Sequence, residues 1–115
     1  MNLLRFLVIL TLALASISRV EAHAFLDYAE PPVGSTVSSP LQVKVCMTRD
    51  IEEASSTVQV FDGKGTEIDK KNVKVRGAIM TVSVPVLAAG TYKVEWIAVA
   101  MDTHKTTGTF MFTVQ

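Results

Sequence analysis

The chain has 115 residues, 49% of them hydrophobic, with 11 basic and 11 acidic side chains. That length holds one small domain. The balanced charge gives no cationic footprint for DNA or RNA, so nucleic acid is excluded as the expected partner.

The first 22 residues differ from the rest. Fifteen of them are apolar, Arg5 supplies a positive start, and Phe6 to Ala15 is an uncharged run of ten. Ten residues are too few to cross a hydrocarbon layer about 30 Å thick, so the segment reads as a secretory signal peptide. Val20-Glu21-Ala22 places an aliphatic and a small residue where signal peptidase inspects the chain, which puts cleavage after Ala22. Residues 1–22 are then a signal peptide and residues 23–115 one domain that begins with His23. No later stretch approaches membrane-spanning length, so the exported domain is expected to be soluble, with no stable membrane insertion.

Beyond Ala22 the apolar residues recur with period two. A first strand is expected from Ala24 to Ala29, ended by the turn residues Pro31-Pro32 and Gly34-Ser35. Leu41, Val43, Val45 and Met47 alternate with Gln42, Lys44, Cys46 and Thr48, a half-buried strand. Cys46 is the only cysteine, so no internal disulfide can form, and it reads as an inert, partly buried thiol. Asp50, Glu52 and Glu53 lack the spacing of a calcium loop and read as a solvated acidic loop.

The alternation returns at Val58 and Val60, more weakly near Val73 and Val75, and again at Met80, Val82 and Val84. Lys70, Lys71, Lys74 and Arg76 carry no interleaved aromatics and read as a solvated strand face. The last two strands hold Tyr92, Val94, Trp96 and Ala98, then Phe110, Phe112 and Val114, with Trp96, Phe110 and Phe112 expected as core anchors. Seven short strands and no helical period predict an all-β fold: a seven-stranded antiparallel β-sandwich or small Greek-key β-barrel.

Nucleophilic catalysis finds no support, because there is no G-x-S-x-G elbow and no histidine near Cys46 in sequence. The two histidines, His23 and His104, are more informative. At a new chain end, His23 offers its α-amine and ring Nδ1 to one metal ion. Asp102-Thr103-His104 adds a carboxylate and an imidazole two residues apart; in extended backbone they share a face, with Cα atoms about 6.5–7 Å apart. A nitrogen-rich set with one carboxylate suits Cu(II) or Ni(II), and copper stands highest in the divalent affinity order. Asp102 and His104 share the parity of Trp96 and Phe110, and an unpaired inward carboxylate is costly. Either the chain leaves the sheet near Met101, or the pair faces the mouth of the fold with a cation on it.

The residues carry a resemblance. His23-Ala24, Pro32, Gly34-Ser35-Thr36-Val37, Pro40, the stretch Leu41 to Met47, Gly90-Thr91-Tyr92-Lys93-Val94-Glu95-Trp96, Asp102-Thr103-His104, Gly108, Phe112 and Val114 together resemble the CopC-type proteins of bacterial copper resistance. The resemblance covers essentially all of the chain after Ala22. It implies a periplasmic protein with a seven-stranded, Ig-like Greek-key β-barrel or sandwich that binds one Cu(II) per chain through His23, Asp102 and His104. It also implies copper carriage, buffering or resistance, without enzymatic turnover, beside a membrane copper importer or another copper-resistance protein.

The chain departs from the family pattern at four places. Phe25 stands where many members have a second histidine, and Thr103 replaces the usual glycine of Asp-Gly-His. Thr48-Arg49-Asp50 replaces a Ser-Glu pair, with Asp50 as the candidate substitute acid. Met47, Met80, Met101 and Met111 are dispersed, which implies a Cu(II) site without a cuprous one. Two other functions fit parts of the pattern: a copper-dependent oxidative enzyme of the histidine-brace type, and an Ig-like interaction module whose histidines are incidental.

Overall fold

Eight strands form within residues 23–115, the part of the chain that the computed structural model describes. The expected signal peptide and its cleavage after Ala22 lie outside or at the border of the described residues. The strands are β1 (Leu26–Glu30), β2 (Thr36–Val37), β3 (Gln42–Met47), β4 (Thr57–Phe61), β5 (Lys74–Arg76), β6 (Ile79–Ser83), β7 (Gly90–Val99) and β8 (Lys105–Val114). Seven of them match the expected strands. The eighth, β2, is two residues long and sits between a turn and Pro40, so it shows no alternation to read.

The strands make two four-stranded sheets, ordered β1-β3-β6-β5 and β2-β8-β7-β4. Every pairing is antiparallel except that of β2 with β8. The sheets pack over one core and do not close into a barrel, so the fold is the sandwich form of the expected Ig-like architecture.

Parity decides what enters the core. Val43, Val45 and Met47 of β3, Met80 and Val82 of β6, and Val58 and Val60 of β4 are buried, as are Tyr92, Val94, Trp96, Phe110, Phe112 and Val114 of β7 and β8. Burying each large apolar side chain contributes roughly 1.5–3 kcal/mol. Tyr92 and Phe112 lie opposite each other, with ring centroids 5.6 Å apart, and the Tyr92 hydroxyl donates to the Ala88 carbonyl at 2.7 Å. Lys70, Lys71, Lys74 and Arg76 are exposed, as expected. Cys46 is buried although it lies on the outer side of β3, opposite Tyr28 of β1. A hydrogen bond with the Cys46 side chain, with the thiol's charge next, pushes the Tyr28 hydroxyl above its usual range.

Trp96 has its room because of Gly108. The two residues face each other across β7 and β8, and a Cβ on Gly108 would strike Cζ2 and Cε2 of the indole and lie 2.8 Å from Nε1. The glycine is required by close approach, since its φ is not in the left-handed region. Gly108→Ala is therefore expected to lower stability by about 1–3 kcal/mol through overpacking. Denaturant titration measures the loss. Because Trp96 is the only tryptophan, its fluorescence should shift as well; an unchanged midpoint and spectrum would contradict this packing.

Candidate metal centre

The β7–β8 hairpin turns at one end of the sandwich. Ala100 is buried and bridges to Ile51, but Met101 is 66% exposed, so the chain leaves the sheet between them. Of the two sequence alternatives, the connecting turn is the one found. The extended geometry expected for Asp102-Thr103-His104 is corrected: Thr103 has φ 75°, which folds the segment back. The Thr103 N–H donates to the Ala100 carbonyl at 2.8 Å and the Ala100 N–H to the His104 carbonyl at 2.9 Å, closing the turn.

This turn joins Asp102 to His104. Asp102 Oδ1 accepts the His104 N–H at 3.2 Å, and Oδ2 lies 3.0 Å from His104 Nδ1. The His104 ring, then its backbone N–H, hold the Asp102 carboxyl below its usual range. Both side chains reach solvent, His104 with 59% of its side chain exposed and Asp102 with 37%.

His23 reaches the same end from the start of β1. Ala24 is fully buried, while His23 and Phe25 on either side of it are exposed. The Phe25 N–H donates to Thr48 Oγ1 at 2.9 Å, and the Thr48 N–H donates to the Phe25 carbonyl at 2.7 Å. On the other side, the Thr106 hydroxyl donates to the Ala24 carbonyl at 2.6 Å. The imidazoles of His23 and His104 come to 4.7 Å between centroids, tilted by 47°. Phe25 packs its ring 6.1 Å from that of His23, so a side chain at position 25 borders the site.

All three candidate ligands therefore meet at one end of the fold. They do not form a closed cage: among the described residues no three His, Cys, Asp or Glu side chains stand in ligating arrangement. One donor is chemically absent as well, because the His23 nitrogen in the full chain is an amide bonded to Ala22. The pair that is in place fits a metal. With bonds of about 2.0–2.2 Å, donors at right angles on one ion stand roughly 2.8–3.1 Å apart. The 3.0 Å between Nδ1 and Oδ2 suits a shared proton or two adjacent ligands of one ion.

Around this end, Arg49, Asp50, Ala100, Met101 and Asp102 line a shallow cleft, so the candidate substitute acid Asp50 borders the same space as Asp102. Met47 and Met80 are buried in the core and Met111 is exposed on the opposite parity. Sequence reasoning missed the hydrogen bonds by which Thr48 and Thr106 hold the segment after His23. Neither bond has a motif, and the Thr106–Ala24 contact joins residues 82 apart in the chain.

The turn carries strain at Thr103, since a left-handed backbone costs an L residue roughly 1–2 kcal/mol and a β-branched residue is a poor occupant. Glycine removes that cost but loses about 0.5–1 kcal/mol of chain entropy. Thr103→Gly is thus expected to raise stability by a few tenths to about 1 kcal/mol in a denaturation midpoint. A loss of stability would show that the threonine side chain holds the turn.

The chain matches the family model described as "CopC domain" over residues 26–115, a span that contains Asp102 and His104 and begins three residues after His23. It is 30% identical to copper resistance protein C of Xanthomonas campestris pv. juglandis, covering 94% of this chain and 91% of that protein. It is 28% identical to the copper transport protein CutJ of Bacillus subtilis strain 168 over 96% of its own length, yet it spans only 21% of that larger relative. The crystal structure of CopC from Methylosinus trichosporium OB3b superposes with a TM-score of 0.76 at 30% identity, covering 81% of this chain and 94% of that one. The strand order, the hairpin with its Asp-x-His turn and these matches agree: the chain belongs to the CopC domain family.

Proposed function

We propose that the chain is an exported, non-enzymatic copper-binding protein that carries or buffers one Cu(II) in the periplasm. The observation that carries this reading is the meeting of His23 with the Asp102–His104 pair, brought from the two ends of the domain to one exposed edge. Removal of residues 1–22 frees the His23 amine. That nitrogen and Nδ1 chelate the ion, His104 supplies a second imidazole, and Asp102 adds a carboxylate oxygen. Three nitrogens and one oxygen form the tetragonal set that Cu(II) favours.

The exposure of both Asp102 and His104 suits cargo, because an ion at the rim can be exchanged without opening the core. Each ligand must shed its proton to bind, so affinity falls in acid. The names of the relatives, copper resistance and copper transport proteins, support carriage over turnover. The similarity to one part of a much longer copper transport protein supports a partner that is a membrane copper importer or another copper-resistance protein.

The test compares two chains by Cu(II) titration with a competing chelator, one beginning at His23 and one with a single glycine placed before it. The first is expected to bind one Cu(II), and the second to bind at least about tenfold more weakly with an altered visible spectrum. Equal affinity and identical spectra for the two would remove the amine from the site. Asp102→Ala and His104→Ala, each in the chain beginning at His23, are likewise expected to weaken binding by about tenfold or more.

A further inference from the structure

We propose that Thr106 is a positioning residue of the metal site, whose hydroxyl holds the segment bearing His23 against the hairpin bearing His104. Its effect on copper rests on the reading above; its effect on the position of His23 is a property of the metal-free chain.

The two histidines belong to different sheets. His23 precedes β1, an edge strand of the first sheet, and His104 precedes β8 in the second. The layers of a sandwich are joined by packing, which is weakly directional, whereas a metal site needs donors placed to within a fraction of an ångström. The Thr48 hydroxyl fixes the same Ala24–Phe25 peptide group through the Phe25 N–H, but Thr48 directly follows β3 and belongs with β1's own sheet, so it does not tie that group to the second sheet. Among the described residues, the Thr106–Ala24 bond is the one hydrogen bond from residues 23–30 to the second sheet.

Its location suits this task. Thr106 is two residues after His104, opposite Ala98 on β7, and Ala24 is the residue after His23. The hydroxyl has one proton. At 2.6 Å the Ala24 carbonyl receives it, while the Ala98 carbonyl at 3.5 Å is at the limit of contact. Ala24 is fully buried and His23 is exposed, so residue 24 is the last fixed point before the ligand. Whatever fixes its carbonyl sets the direction in which His23 leaves the core.

The test uses the chain beginning at His23 with Thr106→Val, which keeps the shape and removes the hydroxyl, and Thr106→Ser, which restores it. In metal-free protein, nuclear Overhauser contacts between the rings of His23 and His104 are expected in wild type, lost in the valine variant and recovered in the serine variant. Cu(II) affinity by chelator competition is expected to follow, about tenfold weaker in the valine variant and restored by serine. A valine variant that keeps both the ring contacts and wild-type affinity overturns the proposal, and so does a wild type without ring contacts. If Thr106→Val does not fold by far-ultraviolet circular dichroism, Thr106→Ala carries the same two measurements. Should wild type bind no copper while its ring contacts respond as described, the copper reading fails and the positioning role stands.

Discussion

Ten consecutive register pairs join β7 to β8, from Gly90 opposite Val114 to Val99 opposite Lys105. Because side chains alternate with a period of two, this ladder determines which residues face inward; a slip of one residue would turn Trp96, Phe110 and Phe112 to solvent. The same register sets Gly108 beneath the indole and delivers Asp102 and His104 at the hairpin's turn. The core and the candidate metal centre therefore depend on a single alignment.

The site is a junction between layers. One sheet contributes the segment that starts at His23, and the other contributes the turn with Asp102 and His104. Only the carboxylate and imidazole are prearranged, at the separation of adjacent ligands on one ion. On the copper reading, one further donor, the His23 amine, depends on a chemical event, cutting the chain after Ala22, because an amide nitrogen inside a peptide bond is no amine. Export and site formation would then be linked, which suits a carrier of an ion kept outside the cytoplasm.

Much of the fold was legible in the sequence because alternation reports burial directly. β3, β7 and β8 read correctly, and Trp96, Phe110 and Phe112 entered the core as expected. β2 did not read, since two residues cannot show a period and its partner, β8, lies at the far end of the chain. His23, Asp102 and His104 were legible as donor types, and their meeting followed from placing the first strand and the last hairpin at one end. The turn geometry was not: Thr103 has a left-handed backbone that a β-branched residue rarely adopts, so an extended reading was natural. The hydrogen bonds of Thr48 and Thr106 were not legible, because a hydroxyl that meets a backbone group far away in the chain, on a neighbouring strand or across the sandwich, has no local pattern.

The most direct measurement of the central claim is pulsed electron paramagnetic resonance of Cu(II) bound in equimolar amount to the chain beginning at His23. The account predicts modulation from two imidazoles, one of which disappears in His104→Ala. A single imidazole in the wild-type complex, or two that persist without His104, would contradict it.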